Sequence, residues 1–234
     1  MQTIGLIGGI TPQSTIMYYE VLNELAAKEF GAKHSCKVII NALDFGEISR
    51  LQTEGRWDLL DTIMVDAAKS LEQAGAGLIV ICANTMHLCI DAITKKVKIP
   101  VIHIAEATAQ NIVQQNIKKV ALLGTKYTME KPFFKDILKT YGVETIIPNE
   151  SDRDIIHNVI YDELSKGLML DASKTAYLKI IENLEQQGVE GVVLGCTEIP
   201  LLIQQDDVAI PVFDTTTIHA IKVFELAKIS VLTF

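Results

Sequence analysis

The chain has 234 residues, 49% hydrophobic and 21% charged, with few glycines and prolines. This excludes a disordered or low-complexity chain and leaves room for one large domain or two small ones. The net charge of -8 argues against a nucleic-acid partner, because a phosphate-facing surface carries clustered Lys and Arg. No apolar run approaches the roughly 18 residues that span a bilayer. The opening stretch MQTIGLIGGITP lacks the basic leader and apolar region of a signal peptide. The expectation is a cytoplasmic protein without membrane contact, in which Cys36, Cys82, Cys89 and Cys196 stay reduced.

From the N-terminus onward, short runs rich in Val, Ile and Leu alternate with longer helical patterns, as in α/β proteins with parallel strands. TIGLIG (3–8) predicts a strand and 12–30 a helix; KVIIN (37–41) predicts the next strand, followed by a helix over 55–74. GLIVI (77–81) precedes a helix over 84–95, and PVIH (100–103) one over 105–115. The second half repeats the rhythm. KVALLG (119–124) leads to a helix over 129–141, and ETII (144–147) to helices over 151–166 and 171–187. GVVLG (191–195) and IPVF (210–213) are the last strands, with a closing helix over 216–228.

IGLIGG (4–9) answers VALLGT (120–125), GAGLIVICANT (75–85) answers GVEGVVLGCTE (188–198), and KIPVIHIAEA (98–107) answers VAIPVFDTTT (208–217). The offsets of 116, 114 and about 111 residues keep the copies nearly in register. The competing explanation is that any two such units share strand, glycine turn and helix by physics alone. The fold class expected is α/β, with two similar α/β domains whose parallel sheets are related by a pseudo-twofold internal duplication. One domain spans 1–103 with 214–234 and the other 104–213. Strand C-termini, where α/β proteins bind ligands, would then surround an active-site cleft between the domains.

Cys82 and Cys196 each follow a strand at the start of a helix or turn, where free N–H groups and a helix dipole stabilise a thiolate. A thiol of ordinary pKa about 8.5 thereby becomes a usable base at neutral pH. Asn84, Thr85 and Thr197 beside them are short hydrogen-bonding groups, suited to helix capping or to holding a substrate carboxylate. Two facing thiols suit inversion of a stereocentre without a cofactor, one removing a proton and the other delivering one to the opposite face. With each sulfur about 3–3.5 Å from the carbon, the pair is too far apart for a disulfide.

GLIGGITPQSTIMYY (5–19), CANTMH (82–87) and GCTEIPLL (195–202) resemble the aspartate/glutamate racemase family, cofactor-independent two-thiol enzymes of two similar α/β domains. The resemblance implies that Cys82 and Cys196 are the acid/base pair. It also implies that Asn84, Thr85 and Thr197 hold the substrate's carboxylate and ammonium, and that Gly8, Gly9 and Thr11 line the same cleft. Arg50 and Lys166 sit where the family places two cations for the substrate's carboxylates; without the resemblance nothing distinguishes them from other surface cations. The first loop, GLIGGIT, lacks the Asp of the glutamate branch, and GCTEIP replaces its GCTHYP-like motif. Both departures favour the aspartate branch, with a small dicarboxylic amino acid as substrate, no cofactor, and a homodimer.

Other residues have plainer readings. Cys89 falls inside an apolar helical pattern and Cys36 precedes a strand without a partner, so both read as structural. Cys82, His87 and Cys89 are wrongly spaced for structural zinc, and no metal is expected. His87, His103 and His219 read as packing residues. Glu198 either orients Cys196 or the substrate ammonium, or is a solvated carboxylate. GLIGGI lacks the spacing of a dinucleotide fingerprint and the Lys of a P-loop. The activity expected is interconversion of L- and D-aspartate, with glutamate as a further substrate. The alternatives are a maleate isomerase-like enzyme of the same superfamily and a non-catalytic two-lobed binding protein.

Overall fold

The computed structural model describes residues 1–229; residues 230–234, placed with the N-terminal domain on sequence grounds, lie outside the described residues. Every predicted strand forms: β1 (Ile4–Gly8), β2 (Val38–Ala42), β3 (Leu78–Ile81), β4 (Val101–Ile102), β5 (Lys119–Gly124), β6 (Glu144–Ile146), β7 (Gly191–Gly195) and β8 (Val212–Asp214). The helices are α1 (Pro12–Phe30), α2 (Phe45–Thr53), α3 (Trp57–Gln73), α4 (Ile90–Thr94), α5 (Ile104–Gln114), α6 (Lys126–Glu130), α7 (Pro132–Thr140), α8 (Glu150–Asp162), α9 (Asp171–Glu185) and α10 (Thr215–Ile229).

Three helical predictions need correction. Helix α2 was not predicted, because FGEISRLQT offers only a short apolar face; Asp44 caps it, and Ile48, Leu51 and Gln52 supply its buried side. The helix predicted over 84–95 is a tight 3-10 turn, Thr85–Cys89, running into the short α4. The helix predicted over 129–141 starts earlier and breaks at Lys131, whose extended backbone is what a residue before proline adopts. Pro132 then opens α7.

The chain divides into two compact units, one of Met1–His103 together with the chain from His219, the other Ile104–Ile218. Each unit holds a four-stranded parallel sheet, ordered β2-β1-β3-β4 in the first and β6-β5-β7-β8 in the second. The order is the same in both, as a duplicated unit requires. In each unit the sheet is covered on both faces, which explains its continuously apolar central strands. In the first unit Ile4, Leu6, Leu78 and Val80 face α1 and α10, whereas Ile7, Ile79 and Ile81 face the helices α2 and α3. In the second, Val120, Leu122 and Val193 face α5 and α7, whereas Ala121, Leu123, Val192 and Leu194 face α8 and α9.

The ladders refine the repeat. Ile4 lies opposite Leu78 and Ile7 opposite Ile81; their counterparts Val120 and Leu123 lie opposite Gly191 and Leu194. Cys82 therefore corresponds to Gly195, and Cys196 comes one residue later than its sequence match suggests. Because side chains alternate between faces, that shift sends the thiols to different sides of their sheets. Cys82 joins the α1/α10 layer and Cys196 the α8/α9 layer.

Candidate active site

At the C-terminal edge of the first unit's sheet, six predicted residues, Gly8, Gly9, Thr11, Cys82, Asn84 and Thr85, lie at the end of the adjacent strands β1 and β3 or just beyond them. Gly9 has φ +80°, and a Cβ there would lie 2.1 Å from the Leu43 carbonyl oxygen, so the crossing chain demands glycine. Its N–H donates to Thr15 Oγ1 at 2.8 Å. Thr11 caps α1, accepting from the Ser14 N–H at 3.2 Å. The Ser14 hydroxyl donates to the Cys82 carbonyl, and the Cys82 N–H donates to the Ile7 carbonyl at 3.0 Å. The start of α1 thus fixes the backbone that carries Cys82. Asn84 and Thr85 follow, both buried. Ser14 and Thr15 were not singled out from sequence, although their distance from Thr11 is that of a capped first turn.

The second unit repeats the device. Thr125 caps α6 by accepting from the Thr128 N–H at 3.3 Å. Beside it lie Cys196, Thr197 and Glu198, all buried. The Cys196 thiol donates to Glu198 Oε2 at 2.9 Å, and the Thr197 hydroxyl donates to the same oxygen at 2.7 Å. Glu198 is therefore not a solvated carboxylate; it is the thiol's acceptor. Tyr161, absent from the sequence-based candidates, packs against this layer.

Neither thiol is poised as expected. Burial pushes Cys82 well above the ordinary thiol range. Burial, then the Glu198 charge and hydrogen bond, do the same to Cys196. The expected helix dipoles are weak, because the segments that follow are 3-10 turns of five and three residues. Both settings favour the protonated thiol.

Arg50 and Lys166 point to the surface. The Arg50 side chain is 57% exposed and bound to Glu54 at 2.9 Å; that of Lys166 is 60% exposed, with Asp162 at 3.7 Å.

The remaining chemistry-bearing residues have structural settings. Cys36 and Cys89 are buried, and Cys89 sits in the α2/α3 layer. The His87 ring lies 4.9 Å from that of His103 and 5.7 Å from that of His219. His219 Nε2 donates to the Ile102 carbonyl at 3.0 Å, leaving Nδ1 to accept from the Tyr18 hydroxyl at 2.7 Å. Burial pushes His87 down to about 4, His103 to about 2 and His219 to about 3. All three are neutral imidazoles near neutral pH. Among the described residues no group of three or more His, Cys, Asp or Glu is arranged to hold a metal ion, and no helix is long and apolar enough to cross a membrane.

Each α/β unit ends a central strand in a buried cysteine. The sequence profile of the Asp/Glu/Hydantoin racemase family matches residues 7–223, and the chain belongs to that family. It is a racemase, hence an isomerase, and the non-catalytic reading falls away. A solved structure of a candidate Asp/Glu racemase from Yersinia pestis is 44% identical, with a TM-score of 0.91 over 97% of this chain and all of that one. An aspartate racemase homologue from Pyrococcus horikoshii OT3 is 39% identical, with a TM-score of 0.85 over the same shares. The broad specificity amino-acid racemase RacX of Bacillus subtilis (strain 168) is 22% identical over 221 residues, 91% of this chain and 92% of its own.

Proposed function

We propose that this racemase interconverts L- and D-aspartate, with glutamate as a second substrate, by a two-base mechanism that uses Cys82 and Cys196 and no cofactor. The observation that carries this reading is the buried cysteine directly after the third strand in each of two units of identical strand order. The aspartate preference rests on the first loop, which lacks the acidic residue of the glutamate branch, on GCTEIP (195–200), and on the 39% identity to the aspartate racemase homologue.

In this mechanism one sulfur is ionised when substrate is bound. It takes the α-proton; the other thiol gives its proton to the opposite face of the carbanion and is left as thiolate. The charge developing at the α-carbon delocalises into the substrate's α-carboxylate, held by backbone amides and the hydroxyl and amide groups of Thr11, Asn84, Thr85 and Thr197. Ionisation from the neutral resting state requires an acceptor, and Glu198, 2.9 Å from the Cys196 sulfur, supplies it. The substrate ammonium favours the thiolate further. Arg50 and Lys166 would bind the carboxylates after exchanging Glu54 and Asp162 for substrate. A homodimer in the cytoplasm belongs to the same proposal.

Purified protein incubated separately with L-aspartate, L-glutamate and maleate, with reductant and no added cofactor, tests the assignment by chiral chromatography. D-Aspartate formed fastest supports it. Fumarate formed from maleate, with both amino acids unchanged, would replace it with the isomerase alternative.

A further inference from the structure

Three successive carbonyls in the first unit's cysteine turn are each tied down by a hydrogen bond. The Cys82 carbonyl accepts from the Ser14 hydroxyl, the Ala83 carbonyl from His87 Nδ1 at 2.9 Å, and the Asn84 carbonyl from the His87 N–H at 3.1 Å. Two of the three bonds come from one residue. A carbonyl only accepts, so Nδ1 carries the proton of the neutral His87 ring.

The ring is itself held in place. His87 is 1% exposed, with the His103 ring 4.9 Å away and the His219 ring 5.7 Å away. His219 is fixed in turn by the Tyr18 hydroxyl at 2.7 Å and the Ile102 carbonyl at 3.0 Å. Tyr18 lies one turn beyond Ser14 on α1, so one face of that helix reaches both the Cys82 carbonyl and the residue packed behind His87. Core packing alone does not call for this arrangement, because an apolar side chain fills such a space with no polar atoms to satisfy. The second unit holds its turn differently: the Cys196 carbonyl accepts from the Ile199 N–H at 3.2 Å, and Glu198 accepts from the thiol itself.

We infer that His87 is a positioning residue for Cys82: through the Ala83 and Asn84 carbonyls it sets the direction of the Cys82 sulfur and of the Asn84 and Thr85 side chains. It acts on the turn and not on the substrate. The inference rests on the two-thiol reading proposed above, in which each sulfur stands about 3–3.5 Å from the α-carbon and an error of about 1 Å costs on the order of 100-fold in rate.

Two substitutions separate the hydrogen bond from the bulk of the ring. His87→Asn places an amide N–H where Nδ1 stands, and His87→Leu fills the space without a donor. In D₂O, NMR and chiral chromatography measure two outcomes from each enantiomer of aspartate separately: inversion, and α-deuterium uptake with retention. In His87→Leu inversion should fall about 10- to 100-fold. From the enantiomer whose α-hydrogen faces Cys196, that sulfur still removes the proton and, after exchange with solvent, returns deuterium to the same face. Retention with deuterium should then exceed inversion about tenfold from that enantiomer and not from the other, while His87→Asn stays within about threefold of wild type. Proportional loss of both outcomes from both enantiomers, or no recovery in His87→Asn, would overturn the inference.

A second arm does not depend on turnover. With Cys36, Cys89 and Cys196 replaced by Ser, the Raman S–H band of Cys82 reports the setting of that thiol. A band shifted or broadened by His87→Leu and restored in His87→Asn is expected. A band unchanged by His87→Leu, or changed alike by both substitutions, would overturn the inference. If the wild-type protein neither exchanges nor racemises aspartate or glutamate, the functional proposal fails, and the Raman band alone decides whether His87 orients the thiol.

Discussion

Cys196 and Cys82 are both buried thiols, yet only Cys196 has a carboxylate among the causes that raise it. That difference gives Glu198 an expected role. Glu198→Gln keeps the shape and an acceptor oxygen but removes the charge that takes the thiol's proton. Its kcat should fall by about 10- to 100-fold, with a thermal midpoint within a few degrees of wild type; chiral assay and calorimetry check the two parts. Cys82→Ser and Cys196→Ser should each reduce racemisation by about 1,000-fold or more, because an alcohol is a far poorer base at neutral pH than a thiol. An active single variant would remove that sulfur from the mechanism. The thiols were legible in the sequence because each closes an apolar run. Glu198 was legible only as a neighbour, since sequence adjacency does not say that a side chain turns back to its sulfur. Tyr161 was not legible: it packs from another helix against the layer that holds Cys196, through contacts that no local pattern encodes.

All eight strands were legible: the four central ones, buried on both faces, are continuous apolar runs bounded by turns, and the partly exposed edge strands are shorter apolar runs in the same rhythm. Short helices were harder. Helix α2 buries only one side of nine residues, and the tight turn after Cys82 reads as a longer helix until its hydrogen bonding is seen. The one-residue shift between the repeats was likewise hidden, because matching glycines and cysteines aligns letters whereas ladder pairing aligns backbones. The turn after β1 gives a direct test. At Gly9 a Cβ would meet the Leu43 backbone at 2.1 Å, with φ at +80°; at Gly188 φ is also +80°, but nothing lies within 4 Å. Gly188→Ala should cost only the left-handed penalty, about 1–2 kcal/mol. Gly9→Ala adds the overlap and should cost about 1–3 kcal/mol more. Urea unfolding of the two variants checks the order, and equal losses would mean that the close approach carries no weight.

At the scale of the molecule, two units of identical strand order present buried cysteines on different layers of their sheets, while the first unit also encloses three imidazoles, His87 and His219 buried and His103 half-buried. Those imidazoles set an acid limit on stability. Their folded pKa values lie below the ordinary value of 6.5, so the unfolded chain binds more protons as acid is added. Their neutral burial has no pH-dependent effect well above 6.5. Stability should fall from there toward about pH 4, by up to about 1.4 kcal/mol per pH unit for each imidazole. Urea midpoints between pH 8 and 4, on the order of one reading per unit, check this, and His103→Leu should flatten the slope by about one proton's share. A midpoint independent of pH would mean that the imidazoles are hydrated or already charged. The central claim concerns the substrate's α-proton, and NMR of L-aspartate in D₂O with purified protein, reductant and no cofactor reads it directly. The two-thiol reading expects the α-proton signal to disappear as D-aspartate forms, and neither to occur in Cys82→Ser or Cys196→Ser at the same rate. An α-proton signal that persists for aspartate and for glutamate would contradict it.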